Sequence, residues 1–352
     1  MRTLVTGANG FLGSVVVDRL LSVRTDSIRC FVRPGSTARL DRISDPLPVP
    51  RIEYAYGNLT SMRACKDAVK DVDVILHLAA ALRGSPADLV MNTVVASCNL
   101  LDAAVAAGVR RIVLVSSFAV YGVSGMHRRD FMDENTPLET HPEWRDPYAY
   151  SKLRQELLFH EYQKRYGFEL VVLRPGVIYG PGGGEFSTRV GIQLPGLFLH
   201  CGNRNQLPLT FVENCADAVV LSAEADQPTA NEVYNVVDDD LPTSRAYLKA
   251  YRKKVRPIRS ISIPYPLTYA ISHACAWYSR HSRGQLPAIL TPYKSHFQWR
   301  GFRFANSRLK TMGWRPRVST QEGMQRTFES FRGSHQGRSR SRLNIPSKIG
   351  PK

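Results

Sequence analysis

The stretch Thr3-Leu-Val-Thr-Gly-Ala-Asn-Gly-Phe-Leu-Gly13 places three glycines directly after a short apolar run. Further short runs rich in Val, Ile and Leu follow, separated by longer segments with helical periodicity. The strands predicted from these runs are 3–6, 28–32, 52–56, 74–78, 112–116 and 170–173. Because the strands are apolar on both faces, we expect helices on both sides of a parallel sheet. The sequence therefore predicts an α/β fold, a doubly wound parallel sheet of the Rossmann type with a smaller C-terminal substrate lobe.

Gly7, Gly10 and Gly13 fall in the turn between the first predicted strand and the helix that follows it. Glycines at this spacing permit the tight turn, let the backbone approach a pyrophosphate, and let helix and strand pack closely. The free amides at the N-terminus of the helix favour phosphate groups. The motif in this context predicts a dinucleotide-binding site.

The alternation of strands and helices stops after residue 175, and the remaining chain is mixed and rich in proline. We predict a dinucleotide-binding domain over residues 1–175, to which a later strand near 233–237 also belongs. Residues 176–332 are predicted to form mainly the substrate-binding lobe. Residues 333–352 contain no acid and few apolar residues, and this composition predicts a disordered basic tail.

The formal net charge of +17 is confined to the C-terminal part of the chain. Residues 251–352 hold 21 Lys and Arg against two Glu, whereas residues 1–250 hold 26 against 28 acids. This distribution indicates either a solvated tail or contact with an anionic surface, membrane or RNA. Residues 261–279 are too polar to span a membrane, so we expect a helix over the substrate cleft, with interfacial membrane contact as the alternative.

The six cysteines lie far apart, with no CxxC pair and no pair of histidines at metal-ligand spacing beside them. We therefore expect reduced cysteines and no metal site. The N-terminal apolar run is too short and too soon broken by glycine for a secretory signal or a spanning helix. A cytoplasmic location is the expectation that follows.

Arg33 stands at the end of the second predicted strand, where an acid usually accepts hydrogen bonds from the 2′-hydroxyl of the adenosine ribose. Together with Arg39 and the two hydroxyl residues between them, it offers cations and donors to a 2′-phosphate. We therefore predict NADP as the cofactor. NAD is the alternative if Arg33 only stacks on the adenine ring.

Tyr148 and Lys152 are four residues apart at the start of a predicted helix, so their side chains share one face. An ammonium beside a phenol favours the phenolate, which predicts a lowered pKa for Tyr148 and a role in proton transfer. Ser117 follows the fifth predicted strand, at the sheet edge where ligands bind. We expect Ser117 to hydrogen-bond a substrate oxygen, Tyr148 to exchange its proton, and Lys152 to hold the phenolate and the nicotinamide ribose.

Several segments, in order and at matching spacing, resemble the extended short-chain dehydrogenase/reductase family of NAD(P)-dependent epimerases, dehydratases and reductases. The resemblance covers about residues 1–330, and the segments are 6–13, 77–80 with Asn92, 115–122, the Tyr148/Lys152 pair and 173–181. It implies that Ser117, Tyr148 and Lys152 are catalytic and that the chain forms homodimers. The cofactor-binding residues it implies are Gly7, Asn9, Gly10, Phe11, Leu12, Gly13, Arg33, Asn58, Leu59, Leu78, Ala79, Ala80, Asn92, Tyr148 and Lys152.

The chain departs from the family's pattern at positions that bear on the substrate. The family's 4,6-dehydratases carry an Asp-Glu pair directly after the catalytic hydroxyl residue, and this chain has Phe118 and Ala119, so dehydration is not expected. Segment 209–214 lacks the arginine with which many nucleotide-sugar enzymes grip diphosphate, and Arg189 or Arg204 are the candidate substitutes. The run 285–293, followed by segments 303–308 and 313–316, resembles steroid-dehydrogenase branches of the family, which act on lipid-like alcohols.

The first functional hypothesis is an NAD(P)-dependent epimerase or dehydrogenase/reductase that transfers hydride at a secondary alcohol or ketone of a nucleotide sugar. The second is a 3-beta-hydroxysteroid-dehydrogenase-like enzyme that acts on a lipid-like alcohol. A third, of another class, is a non-catalytic dinucleotide sensor or nucleic-acid-binding protein, which the basic C-terminus suggests.

Overall fold

A computed structural model of the chain describes residues 1–23, 27–43, 51–224, 231–281 and 290–343. The described strands are β1 (Arg2–Thr6), β2 (Ser27–Val32), β3 (Ile52–Tyr56), β4 (Val74–His77), β5 (Arg111–Val115), β6 (Phe131–Met132), β7 (Glu169–Pro175), β8 (Val177–Tyr179), β9 (Gly191–Leu194), β10 (Leu197–His200), β11 (Leu209–Phe211), β12 (Glu232–Val236), β13 (Ser260–Ser262) and β14 (Arg303–Phe304).

The described α-helices are α1 (Phe11–Val23), α2 (Met62–Ala68), α3 (Pro86–Val90), α4 (Ala96–Ala106), α5 (Pro147–Tyr166), α6 (Val212–Glu224), α7 (Ser244–Lys254), α8 (Tyr265–His281), α9 (Pro292–Trp299), α10 (Ser307–Thr311) and α11 (Thr320–Leu343). Short 3₁₀ turns lie at Leu40–Arg42, Phe118–Val120 and Pro142–Trp144, and a π-helical turn, Met91–Val95, joins α3 to α4.

Seven of these strands form one parallel sheet in the order β12-β7-β5-β4-β1-β2-β3. From β1 the chain first builds one side of the sheet through β2 and β3, and then crosses to β4 on the other side. The carboxyl ends of β1 and β4 therefore flank the point at which the strand order reverses, where ligands bind in such sheets. The predicted doubly wound Rossmann fold is confirmed.

Helices cover both faces of this sheet. Because successive strand residues point to opposite sides, each strand packs against both helix layers. On one face, Val5 packs with Val16 of α1 and Val219 of α6. On the other face, Leu4 packs with Leu100 of α4 and Phe159 of α5. The two layers hold the carboxyl ends of the strands in fixed positions, and the predicted functional residues lie at these ends.

The stretch Pro86–Ala106, which comprises α3, the π-helical turn and α4, is long and apolar enough by length and composition to cross a membrane, and it is the one such stretch among the described residues. Leu100 and Leu101 of α4 are fully buried against the sheet. The packing is that of a core helix. The π-helical turn separates α3 from α4, and such turns are frequent at functional sites.

The C-terminal lobe contains a small sheet of order β13-β10-β9 and its own aromatic core. In this core Phe198 of β10 packs with Tyr251 of α7 and Phe328 of α11. The predicted disordered tail is wrong over residues 333–343, where α11 continues as helix to Leu343. Extension from an existing helix avoids the nucleation step, and Arg, a good helix former, recurs there. Residues 344–352 of that segment lie outside the described residues.

Candidate active site

The glycine turn after β1 has the geometry that its sequence predicts. Gly7 has φ = +69°, in the left-handed region, and its carbonyl oxygen accepts a hydrogen bond from the Gly10 amide at 2.8 Å. A Cβ at Gly13 would lie 2.1 Å from the Gly7 carbonyl oxygen, so a side chain there would displace the turn. The backbone therefore stays open at the N-terminus of α1, and this cradle fits the pyrophosphate of a dinucleotide.

Asn9 ties the glycine turn to the loop that follows β2. Its Oδ1 accepts a hydrogen bond from the Arg39 backbone amide at 2.8 Å, and its Nδ2 donates to Ser36 Oγ at 3.1 Å. The Arg39 guanidinium lies over the ring of Phe11, 5.8 Å from its centroid. Arg33 is exposed at the end of β2. The structure thus brings Asn9, Phe11, Arg33 and Arg39 to the edge of the sheet that holds the glycine turn.

The other predicted cofactor residues divide into two groups. Leu78, Ala79 and Ala80 follow β4 at the same edge, and the Ala79 amide lies 3.0 Å from where a Gly7 Cβ would stand. Asn92 is exposed in the π-helical turn, where its Nδ2 donates to the Asp88 carbonyl at 2.9 Å.

In the second group, Asn58, Leu12 and Leu59, the side chains already have partners within the protein itself. Asn58 Oδ1 accepts a hydrogen bond from the Thr60 amide at 3.1 Å, so the side-chain oxygen of this predicted cofactor residue already has a local donor. Leu12 and Leu59 are buried in the two core layers. Only the backbones of these two leucines remain for a cofactor contact.

Ser117 and Tyr148 meet at the wall of one cavity, as the sequence predicts. Both side chains line this cavity, and Ser117 Oγ accepts a hydrogen bond from the Ala119 amide at 3.1 Å. Tyr148 stands in the first turn of α5, whose N-cap Asp146 accepts a hydrogen bond from the Ala149 amide at 3.1 Å. A substrate oxygen in this cavity can therefore meet both hydroxyls.

The expected lowering of the Tyr148 pKa by Lys152 is not found. Burial raises the pKa of Tyr148; the hydrogen bond with Ser117 opposes this rise and the Asp146 carboxylate adds to it. Lys152 Nζ donates to the Val115 carbonyl at 2.8 Å and to Gln155 Oε1 at 2.6 Å. Burial lowers the pKa of Lys152 to about 7, against the pull of Glu156, so the ammonium that should stabilise a phenolate is itself disfavoured.

A buried polar network extends from Lys152 to β1. Gln155 Nε2 lies 3.1 Å from His77 Nε2 and donates to Ser97 Oγ at 2.8 Å, and His77 Nδ1 lies 2.8 Å from Thr6 Oγ1. Because Gln155 Oε1 accepts from Lys152, its amide nitrogen faces His77. His77 Nε2 must then accept, which places the ring proton on Nδ1. Burial, with the charge of Lys152 adding to it, lowers the pKa of His77 to about 3.

The buried neutral state of His77 predicts a loss of stability in acid. Between pH 6.5 and about 3 the unfolded chain binds a proton at this histidine and the folded chain does not, so the free energy of unfolding falls as the pH falls. The full effect is up to about 5 kcal/mol, at about 1.36 kcal/mol per pH unit. Urea unfolding of the native protein and of His77→Asn from pH 7 to 4 should give the steeper decline in the native protein.

The matched control for this experiment is His127→Asn, because the His127 side chain is 81% exposed. That variant should follow the native curve. Parallel curves for the native protein and His77→Asn would contradict the assignment.

The cavity that Ser117 and Tyr148 line has a volume of about 1230 Å³ and a basic wall. Its basic lining residues are Arg145, Arg189, Lys294, His296 and Arg300, against the acids Glu143 and Asp146. The guanidinium carbons of Arg145 and Arg189 lie 4.3 and 4.5 Å from the centroid of the Phe297 ring. Burial, and then the charge of Arg145, lower the pKa of Arg189 to about 9, so an anion bound nearby would relieve the repulsion.

The structure separates the two arginines considered as diphosphate ligands. Arg189 is buried in the cavity wall, and Arg204 is exposed and is not among the described lining residues. Sequence reasoning missed Arg145 and Gln155. Gln155 was detectable, since it lies three residues after Lys152 on one helix face. Arg145 stands in a loop, where no periodicity marks it.

These features agree with a comparison against known protein families. The profile of the NAD dependent epimerase/dehydratase family matches residues 3–236, which include the glycine turn, Ser117, Tyr148 and Lys152. The chain belongs to this family. The resemblance drawn from its motifs is thereby confirmed. Among the described residues there is no group of three or more His, Cys, Asp or Glu that could hold a metal ion.

Two curated relatives and one solved structure show the range of similar proteins. The chain is 31% identical over 191 residues to an uncharacterized UDP-glucose epimerase, YtcB, of Bacillus subtilis (strain 168), covering 51% of this chain and 58% of that protein. It is 24% identical over 357 residues to 3beta-hydroxysteroid-dehydrogenase/decarboxylase isoform 1 of Arabidopsis thaliana, covering 93% and 79%. The alignments cover 58% of the Bacillus protein and 52% of a further relative, so the chain spans about half the length of some curated relatives it matches.

The solved structure is the UDP-glucose 4-epimerase of Thermus thermophilus in complex with NAD. Its TM-score is 0.69 at 23% sequence identity, and the alignment covers 95% of this chain and all of that one. At this identity the likeness shows the fold. Nucleotide-sugar epimerases and a steroid dehydrogenase are thus both among the proteins to which this chain is similar.

Proposed function

We propose that the chain transfers hydride between NAD(P) and a secondary alcohol or ketone of a nucleotide sugar, with epimerisation or reduction as the outcome. The observation that carries this proposal is that Ser117 and Tyr148 line the same cavity, which has a basic wall. Proton exchange at a substrate oxygen needs such a hydroxyl pair, and an anionic substrate needs such a wall.

Each proposed catalytic residue has a role that its surroundings support. Bound NAD(P) supplies the hydride donor or acceptor. Tyr148 exchanges the proton of the substrate oxygen, while Ser117 donates a hydrogen bond to that oxygen. Lys152 has a pKa of about 7 and is therefore mostly charged below pH 7. Its proposed role is to hold the nicotinamide ribose and favour the phenolate of Tyr148. Gln155 and Val115 position its ammonium.

The proposed nucleotide-sugar substrate rests on the cations of the cavity. Arg145 is already paired with Glu139 at 3.6 Å, whereas a diphosphate near Arg189 would offset the burial and the repulsion that lower the pKa of Arg189; charge-assisted hydrogen bonds to phosphate are the strong ones. The Bacillus and Thermus proteins are named as UDP-glucose epimerases, so a nucleotide sugar is the substrate that their names indicate for them.

We propose that the chain does not catalyse 4,6-dehydration, although dehydratases belong to its family. Phe118 is buried and stacks with Phe304 at 5.7 Å between ring centroids, and Ala119 has no titratable group. Neither can act as the additional acid or base that elimination of water needs. Product analysis by mass spectrometry with dTDP-glucose and NAD should show no loss of water.

Removal of Arg189 should weaken nucleotide-sugar binding. We expect Arg189→Met to lower the affinity for UDP-glucose about ten- to hundredfold, since one charge-assisted hydrogen bond contributes about 1.5–3 kcal/mol. The measurement is the thermal shift with UDP-glucose in the presence of NADP, with circular dichroism to check the fold. Arg204→Met, which changes an exposed arginine outside the described lining, is the control and should bind normally. Equal shifts in both variants would refute the proposed diphosphate site.

The proposed preference for NADP rests on Arg33, which is exposed at the end of β2. We expect Arg33→Asp to lower NADPH affinity at least tenfold and to raise NADH affinity, because the carboxylate repels a 2′-phosphate and accepts from a 2′-hydroxyl. Fluorescence titration with both cofactors measures this ratio. Arg42→Asp, an exposed arginine in the same loop, is the control. An unchanged ratio would favour NAD as the native cofactor.

A lipid-like alcohol is the second candidate substrate, supported by the Arabidopsis relative, which matches most of the chain. Residues 285–289 of the run that suggested it lie outside the described residues. A thermal shift with a 3-hydroxysteroid and none with UDP-sugars would favour it over the first. The expected homodimer and the cytoplasmic location remain predictions.

A further inference from the structure

Helix α8 (Tyr265–His281) turns its polar side toward the protein, which is the reverse of the usual amphipathic arrangement. Thr268 and Ser272 are buried, and Cys275 and Ser279 are partly buried. These four positions have the spacing i, i+4, i+7, i+11 and so share one face. Thr268 Oγ1 and Ser272 Oγ donate to backbone carbonyls of the preceding turn, at 3.3 and 2.6 Å. Hydroxyls satisfied within the helix can face the protein interior without an unpaired donor.

The neighbouring face of α8, about 100° around the helix, is apolar and exposed. Leu267, Ile271, Ala274 and Tyr278 repeat the same i, i+4, i+7, i+11 spacing one residue earlier, and Trp277 lies beside them. The exposed fractions are 40% for Ile271, 58% for Tyr278 and 61% for Trp277. We call these five residues the α8 stripe. An exposed apolar stripe of three turns with two large aromatic rings is typical of an interaction surface.

The chain segment that leads into α8 is cationic, and Arg252 Nη1 donates to Ser260 Oγ of β13, shortly before α8, at 3.4 Å. Residues 251–281 contain six Lys and Arg and no acid. Arg252, Lys253 and Lys254 end α7 and are exposed, and Arg259 is exposed immediately before β13. An apolar helix face with Trp and Tyr and with flanking cations has the composition of a helix that lies in a membrane interface. The charge complements anionic lipid head groups.

The same charge argues against a second copy of this chain on the α8 stripe. In a two-fold dimer each stripe would meet its own copy, and the two sets of exposed cations would approach each other. Like charges at an interface oppose association. An anionic bilayer would bury the apolar α8 stripe and pair with the cations at the same time.

We propose that α8 docks the protein on an anionic lipid bilayer, with the α8 stripe inserted at the boundary between head groups and acyl chains. The inner side of the same helix lines the cavity of Ser117 and Tyr148 through Ala276 and Ser279. Docking therefore places the active-site cavity against the membrane surface. The proposal does not rest on the proposed function, because binding to vesicles requires neither substrate nor turnover.

The test is flotation of the full chain with vesicles of phosphatidylcholine alone and with 30% phosphatidylglycerol. We expect binding to the anionic vesicles, at least tenfold weaker binding to the neutral ones, and a decline with added salt. Trp277 gives a second readout. Its fluorescence should shift to the blue and be quenched by brominated acyl chains, and both changes should be absent from Trp277→Ser, which keeps the other three tryptophans; of these, Trp299 and Trp314 are buried.

The variant Ile271→Ser/Trp277→Ser should lose at least tenfold in vesicle binding at unchanged fold, checked by circular dichroism and melting temperature. The matched control is Leu82→Ser/Phe131→Ser, which removes two apolar side chains exposed elsewhere to a similar degree. This control should bind as the native protein does. Charge reversal in Arg252→Glu/Lys253→Glu/Lys254→Glu should weaken binding to anionic vesicles several-fold.

Two results would overturn the proposal. The first is vesicle binding that both double variants retain, since the attachment would then come from other parts of the basic chain. The second is a native protein that does not bind vesicles and forms a dimer in analytical ultracentrifugation, with the Ile271→Ser/Trp277→Ser variant monomeric. That result would assign the α8 stripe to a second copy.

Discussion

Tyr148→Phe is expected to lower turnover by about 10²- to 10⁴-fold, the usual contribution of a positioned proton-transfer group. The change removes only the hydroxyl of a side chain that lines the cavity, and it leaves the ring in the first turn of α5. Cofactor affinity and melting temperature should stay near the native values. Steady-state kinetics with UDP-glucose and both nicotinamide cofactors, with titration of NADPH, measure the two effects separately.

The control for this variant is Tyr150→Phe, two residues further along α5 and partly buried, which is not among the described lining residues of the cavity. It should keep native turnover. Full activity of Tyr148→Phe on the true substrate would remove the basis for the proposed chemistry. Failure of both native protein and variants to turn over any alcohol, with normal cofactor binding, would favour the non-catalytic dinucleotide sensor.

Arg174→Met is expected to destabilise the folded protein by about 3–5 kcal/mol. Arg174 Nε donates to Glu156 Oε1 at 3.0 Å, its Nη2 donates to the same oxygen, and the Glu156 side chain has no exposed surface. Ser116 Oγ donates to the other carboxylate oxygen. Loss of the guanidinium would leave a buried carboxylate without its cation. Urea unfolding at pH 7 gives the free energy of unfolding.

Two variants make this result interpretable. Arg110→Met removes an arginine that is 56% exposed and pairs with Glu169 at 3.1 Å, and it should cost no more than about 1 kcal/mol. The double variant Arg174→Met/Glu156→Met should recover much of the loss, because no unpaired charge remains. If Arg174→Met lowered the free energy of unfolding as little as Arg110→Met does, the buried pair would not contribute to stability as described.

The fold was predictable because its signals are local. The glycine turn needs specific residues at Gly7 and Gly13, and apolar strands covered on both sides have a recognisable composition. The helix of Tyr148 begins at a proline after an N-cap aspartate and ends before Gly167, which has φ = +76°. Each of these signals acts within a few residues, and the structure follows them closely.

The partners of Lys152 were not predictable, because they come from distant parts of the chain. The sequence placed Lys152 beside Tyr148 on a helix face, but the fold surrounds its ammonium with Val115 and Gln155 and removes it from water. Desolvation then lowers the pKa of Lys152 and raises that of Tyr148. A pKa depends on burial, which no spacing records.

The sequence by itself determined the sheet and the glycine turn, since short-range turn chemistry and strand patterning suffice for these, and it singled out Ser117, Tyr148 and Lys152 as candidates. Only the tertiary structure brought Arg145 and Arg189 onto Phe297 and turned the apolar side of α8 outward. Both arrangements depend on which surfaces meet across long chain separations. The physical reason is that packing and desolvation act between residues that no local pattern connects.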